Sequence, residues 1–299
     1  MKKTTISLTL AVLLILAGGI LFVCTMASLR WDFEGLSTVQ YETNTYAITE
    51  DFYNITINSD TADIRFRRSD DGSCRVVCDE DRNTKYVVAV EDDTLTVKLV
   101  EREDIFHIGI NFRAPKITVY LPKAEYRKLL IREDTGDVEL PKEFLFESLD
   151  ISLDTGDIFC CSSVSGQMKI KTGTGHIRVE NVSADLLDLT VSTGEVQLEN
   201  IRCNALQTDG DTGDILLKNV IAVDTISICR TTGDVRFVSS DATAIVVETD
   251  TGDVTGTLLT DKVFITHTRT GDVDVPKIAI GGRCEISTST GDIRLEIAQ

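Results

Sequence analysis

Four segments of the chain, Asp134-Thr-Gly-Asp, Asp154-Thr-Gly-Asp, Asp211-Thr-Gly-Asp and Asp250-Thr-Gly-Asp, contain the Asp-Thr-Gly triplet that carries the catalytic aspartate of pepsin-like and retroviral proteases. That chemistry needs two such aspartates converging on one water, with a proton shared between like charges. Here the triplet belongs to a periodic array whose first position changes freely to Gly173, Ser192, Thr231, Arg269 and Ser289. A catalytic dyad does not tolerate that variation, so the triplets read as architecture.

One residue after each glycine of the array stands a nearly all-acidic column: Asp137, Asp157, His176, Glu195, Asp214, Asp234, Asp253, Asp272 and Asp292. If the repeats stack about 4.8 Å apart, each neighbouring acidic pair costs about 0.8 kcal/mol at the dielectric of water. Two chemistries offset that repulsion. Each carboxylate can accept backbone N–H bonds at its own corner, as in Asx turns. Alternatively, Asp137, Asp157, Asp214, Asp234, Asp253, Asp272 and Asp292 can line a row of weak calcium sites, since hard cations favour carboxylate and carbonyl oxygens. Turn chemistry is the expectation, because the glycine-paired nonapeptide of calcium-binding solenoids is absent. No other cofactor is expected.

The residue before each glycine is always threonine, from Thr135 to Thr290, as expected for stacked β-branched side chains with mutual hydroxyl bonds. An ice-binding threonine array wants a neutral face, and the adjacent column is charged. His107, His176 and His267 are far apart and belong to no Ser/His/Asp or HExxH pattern. Eight cysteines, at 24, 74, 78, 160, 161, 203, 229 and 284, show no metal-ligand spacing and read as free, mostly buried thiols. Cys74 and Cys78 would lie about 13 Å apart on an extended strand, too far for a disulfide. Glu133 and Arg230, three residues before their glycines, are expected as rim charges. No catalytic residue is assigned and the chain is not expected to be an enzyme, because no loop departs from the repeat to build a cleft.

The elements that position these columns follow from the period. Thr-Gly recurs with Gly136, Gly156, Gly175, Gly194, Gly213, Gly233, Gly252, Gly271 and Gly291, at steps of 19 or 20 residues. Two residues after the glycine every side chain is Val or Ile, and offsets −7, −5 and +4 are mostly aliphatic. This period-two alternation on both sides gives two short strands per repeat, with the glycine as a corner that needs φ > 0 or a close neighbour. One repeat buries about four side chains, roughly 6 to 12 kcal/mol, against an ordering cost of about 1.5 kcal/mol for each of its twenty residues. Repeats must therefore stack. An all-β parallel β-solenoid is expected, with stacked antiparallel hairpins as the competing architecture. Residues 129–299 form the regular array, and residues 48–128 read as irregular capping rungs. The final rung, before Gln299, is expected to be open to pairing with another molecule.

Residues 1–30 read as a cytoplasmic stub and transmembrane helix, since Ile6 to Leu29 carries no charge. A cleaved signal fits less well, because its apolar core is usually shorter and Thr25-Met26-Ala27 is a poor cleavage site. A lipoprotein signal fails at Val23, where a small residue should precede Cys24. Lys2 and Lys3 precede the span, while Asp32 and Glu34 join Arg30 after it, which places the N-terminus in the cytoplasm and the rest outside. Residues 31–47 read as a juxtamembrane linker or a first irregular strand, with Trp31 as an interfacial anchor. An apolar share of 42% and a charged share of 26% exclude a disordered chain. A formal charge of −18 excludes nucleic acid as a partner.

The serial units Thr155-Gly-Asp-Ile-Phe-Cys and Thr290-Gly-Asp-Ile-Arg-Leu, the variant Ala62-Asp-Ile-Arg-Phe and Leu121-Pro122 before the array resemble the bacterial domain-of-unknown-function family 4097, in the toast-rack group of β-repeat proteins. The resemblance covers about residues 48 to 299. It implies a right-handed β-solenoid of about 19–20-residue rungs without a known catalytic site, surface-linked and adhesin-like. The expected function is a membrane-anchored module that contacts lipid through its helix and an envelope glycan or protein through its faces. The alternative is a scaffold or regulatory partner in a membrane stress system.

Overall fold

The computed structural model describes residues 2–28, 30–31, 41–81, 85–100 and 114–298. Lys2–Ser28 is one α-helix. Its Leu10–Ser28 stretch has a mean hydropathy of 2.6 and is long and apolar enough to cross a membrane. Leu13, Leu14, Ile15 and Leu21 on it touch no protein core and stand exposed, as in a helix solvated by lipid. All other elements among the described residues are strands.

The strands form the rungs of a β-solenoid. Each rung runs along a long strand to the Thr-Gly corner, continues in a short strand two residues later, and turns again into a third short stretch. Long strands pair in parallel and in register, Leu149 with Leu129 on one side and Met168 on the other. The short strands do the same, Ile158 between Val138 and Ile177. Parallel pairing of whole rungs excludes the stack of hairpins. Offsets −7, −5, +2 and +4 supply the core, for example Leu206, Ile228, Val235 and Phe237.

Offset −3 also points inward, which corrects the expectation for Glu133 and Arg230. They are only 4% and 2% exposed, in the same column as the buried Leu153, Thr172, Val191, Thr249 and Thr288. Glu133 Oε1 accepts the Ala62 N–H at 2.8 Å. The Arg230 guanidinium donates to the Val191 carbonyl at 2.9 Å, two rungs away. Its path is open because the intervening rung has Gly210, where a Cβ would stand 1.8 Å from Nη1.

Residues 48–128 build one end of the stack. Asn54–Thr61 and Asp63–Arg68 flank an Ala62-Asp63 corner and pair in parallel with the first regular rung, Glu125–Thr135 and Val138–Leu140. Thr94–Leu99 and Lys116–Leu121 add in parallel on the far side. Antiparallel strands then close the end, Tyr86–Glu91 on Thr94–Leu99 and Cys74–Asp81 on Lys116–Leu121. The hairpin between Tyr86–Glu91 and Thr94–Leu99 turns at Asp92 and Asp93, with φ of 46° and 58°, as tight hairpins require. Tyr41–Ile48 pairs antiparallel along Cys74–Asp81, so strand begins inside the stretch read as linker. Its Tyr46 and Asn44 side chains are held by the buried Glu80.

At the other end the rungs do not stack in sequence order. The last rung, Gly282–Thr290 with Ile293–Ile297, lies between Ala244–Thr251 and Lys262–Thr270. The rung left outermost is therefore Lys262–Thr270 with Val273–Asp274, which corrects the expectation of an open final rung. Side-chain chemistry explains the inversion. The inserted rung presents Cys284, Ile286, Ile293 and Leu295 to the core, all buried, whereas the outermost has Thr266 at the −5 position that Ile286 holds in the inserted rung. A buried ion pair pins the order: Lys262 reaches past Gly282 of the inserted rung to Asp241, with Nζ 2.5 Å from Oδ1.

Two measurements check this interior. Val235→Asp places an unpaired charge in the core and should destabilise the fold by about 3 kcal/mol or more, read from chemical denaturation; an unchanged midpoint refutes the inward column. Burial pushes the Glu133 carboxyl up to about 8, against the pull of its bond from Ala62. The folded state then holds a proton that the unfolded state has released, so its stability contribution, complete at acid pH, is lost as pH rises from about 4.5 through about 8. Glu133→Gln should flatten the fall in stability over that window.

Candidate functional site

The Thr-Gly corner explains why the repeat is invariant where it is. The nine corner glycines have φ between 132° and 154°. The chain packs so closely there that a Cβ on Gly156 would lie 1.9 Å from the Gly136 carbonyl oxygen. Backbone bonds tie each corner to the next, with Gly156 N–H donating to Thr174 O at 2.8 Å and Ile158 N–H to His176 O at 2.8 Å. The threonine column contributes the carbonyls that take the glycine amides, and the residues one place after the glycines contribute those that take the Val and Ile amides. Among the described residues its exposed hydroxyls form no bonds with one another, contrary to the expected hydroxyl ladder.

The acidic column bonds from rung to rung rather than within each corner. Asp137 Oδ1 accepts the Asp157 N–H at 2.9 Å, and Asp157 Oδ1 accepts the His176 N–H at 2.7 Å. His176 Nδ1 takes the Glu195 N–H at 3.1 Å, so a histidine can replace an aspartate as acceptor. The series resumes from Asp214 to Asp234, Asp234 to Asp253, Asp253 to Asp292 and Asp292 to Asp272, at 2.8 to 2.9 Å. The last two steps follow the inverted rung order. Each aspartate bond joins a charged acceptor to an amide, worth about 1.5–3 kcal/mol, and exceeds the repulsion of about 0.8 kcal/mol per pair. Among the described residues, no three His, Cys, Asp or Glu side chains come together as a metal site.

The second corner has a ladder of its own. Asn181, Asn200 and Asn219 adopt φ of 56°, 56° and 53°, a left-handed conformation that asparagine accepts better than most residues. Asn200 donates from Nδ2 to Asn181 Oδ1 at 3.0 Å, and Asn219 to Asn200 at 2.8 Å. Its sequence signal is a 19-residue spacing of Asn six places after the glycine.

Among the described residues, reactive groups are not gathered. Cys74, Cys78, Cys160, Cys203 and Cys284 are buried and free, and loss of water pushes their thiols up to about 11 or 12, far from a nucleophilic thiolate. His176 lies on the corner row and His267 on the outermost rung; His107 lies outside the described residues. Among the described residues, three clefts of more than about 300 Å³ are large enough for a ligand. One of about 410 Å³ is floored by the Lys262–Asp241 pair, whose charges neutralise each other. One of about 440 Å³ lies beside Asp274, Pro276, Arg294 and Glu296, and one of about 360 Å³ beside Tyr53, Tyr126, Leu145 and Phe146. Tyr53 is 40% exposed, with the Arg127 guanidinium 4.7 Å and the Lys123 ammonium 5.2 Å from its ring centre.

The family described as Toastrack DUF4097 matches residues 52–236 and 187–299, and the chain belongs to that family. No curated protein matches it. A solved structure from Parabacteroides merdae, called a "putative adhesin", shares the fold at 13% identity and a TM-score of 0.52, over 85% of this chain and 96% of its own. Another of that description, from Bacteroides fragilis, is 17% identical over 86% and 97%, with a TM-score of 0.48. A "putative lipid binding protein" from Parabacteroides distasonis is 13% identical over 85% and 97%, at 0.44.

Replacing Asp214, Asp234 and Asp253 together by Ala removes three charged amide acceptors and should cost about 3 kcal/mol, since relief of about 0.8 kcal/mol of repulsion per pair offsets part of the loss of about 1.5–3 kcal/mol per bond. The corresponding Asn variant keeps an acceptor oxygen in each place and should lie within about 1 kcal/mol of the parent. Millimolar calcium should leave the melting temperature of all three proteins unchanged. A calcium-dependent rise in the parent alone would reinstate the row as an ion site.

Proposed function

We propose that this chain is a single-pass, membrane-anchored β-solenoid displayed outside the cytoplasmic membrane, a non-catalytic adhesin-like module that binds cell-envelope material. One observation carries the reading: the charged columns are occupied in holding the rungs together, so what the molecule offers a partner is surface. The helix supplies the anchor, and the Lys2 and Lys3 flank favours a cytoplasmic N-terminus. The cleft beside Tyr53 is the best-equipped place for a glycan, because the part-exposed side chains of Tyr53 and Leu145 offer apolar surface to a sugar while Glu125 and Glu147 stand by to bond its hydroxyls.

Topology and binding have separate tests. Cys229 is exposed on the solenoid, so a membrane-impermeant maleimide should label it in intact cells that express the full chain. Labelling only after lysis rejects the outside location. Cells displaying the full chain should be retained on immobilised envelope polysaccharide, and Tyr53→Ala should reduce retention at least fivefold. Equal retention of cells lacking the chain rejects the binding reading.

A further inference from the structure

The two ends of the solenoid are not alike. One is closed by antiparallel strands, while the Lys262–Thr270 strand at the other pairs only with Gly282–Thr290 among the described residues. Its other edge is a nine-residue row of open backbone groups. The core is uncovered at the same place. Val273 is 45% exposed, although the Val or Ile at its position in every other regular rung is at most 1% exposed. Phe264 of the same rung is only partly covered, and Ile265, on the outer face of the same strand, is 49% exposed. An open edge with an apolar end face is what natural sheets ordinarily avoid. This edge has no proline, and its lysine is turned inward to Asp241.

We propose that this end is a homophilic contact site, where the Lys262–Thr270 strand pairs antiparallel with the same strand of a second copy of this chain. The sequence of the strand suits itself. Full overlap of nine residues places Thr266 opposite Thr266, which sets Ile265 against His267, Phe264 against Thr268 and Val263 against Arg269. No like charges face each other, and Arg269 lies diagonal to Asp261 of the second copy, within reach across an antiparallel pair. Antiparallel addition to an end rung is already how this chain closes its other end. Joining the two end faces covers Val273 and Phe264 and satisfies both edges in one two-fold contact.

The contact has a direction. The chain leaves the helix and enters the solenoid at Tyr41, on the closed end, so the tether and the homophilic face lie at opposite ends of a stack about 50 Å long. Two copies joined by their open ends carry their tethers at opposite ends of a rod about 100 Å long, an arrangement that links facing membranes. This last step rests on the membrane-anchored adhesive reading; the pairing itself does not.

The test uses the full chain in detergent. Sedimentation equilibrium at micromolar concentration should show a dimer, and Ile265→Lys, at an exposed position that leaves the fold intact by circular dichroism, should weaken it at least tenfold. In a Cys24→Ser, Cys229→Ser background, Thr266→Cys should form a disulfide-linked dimer under mild oxidation, whereas Ile280→Cys should not. A monomer that fails to cross-link at position 266, or a dimer indifferent to Ile265→Lys, overturns the proposal. Vesicles bearing the full chain should cluster, and those bearing Ile265→Lys should not. An intact, Ile265-dependent dimer without clustering upholds the pairing and counts against the adhesive reading instead.

Discussion

The close approach of backbone to backbone at the Thr-Gly corner sets the terms for the rest of the molecule. A carbonyl oxygen of one rung occupies the space that a Cβ of the next would need. That contact fixes where each rung sits over its neighbour, and with it the register of both flanking strands. Once register is fixed, like stacks on like, and every column in the sequence becomes a line along the rod. The same constraint creates the acidic row and removes most of its cost. Stacking puts carboxylates one strand spacing apart, and also puts each carboxylate beside the amide of the next corner.

Two long cations are placed by the complementary device, a glycine that leaves room. Arg230 passes Gly210 and Lys262 passes Gly282, each bonding a group two rungs away. Burying either charge is expensive, and removing Asp241 from its pair with Lys262 is more expensive still. Their effect is on specificity, since a rung shifted by one place would confront each cation with a side chain in place of a glycine. The inverted order of the last two rungs is specified in this way by Lys262, Gly282 and Asp241 together.

The parts of this structure that could be read from sequence are those the period repeats. Nine glycines at steps of 19 or 20 residues, with Val or Ile always two places on, define the corner, the two strands and the +2 core column without further information. The aspartates were legible as turn residues, although their amide partners belong to the next rung. Glu133 and Arg230 were misplaced because polarity argues for a rim wherever a column also contains Thr and Gly, and only three-dimensional packing reveals the gap that receives them. The rung inversion left no trace in the spacing, since a rung of 19 residues is the same length wherever it stacks. The cleft beside Tyr53 joins residues from 53 to 165, a juxtaposition outside the repeat and so outside its logic.

The inversion bears on how the chain is made. A solenoid whose rungs stack in order can grow on the ribosome one turn at a time, each new rung adding to a finished surface. Here that vectorial growth stops at the rung of Ala244–Thr251, because the next rung to emerge, Lys262–Thr270, finds its neighbour only in Gly282–Thr290, synthesised after it. The last two turns must therefore close together, once Gly282–Thr290 has emerged. Until they do, the nascent chain keeps an unfinished apolar end that chaperones would have to shield.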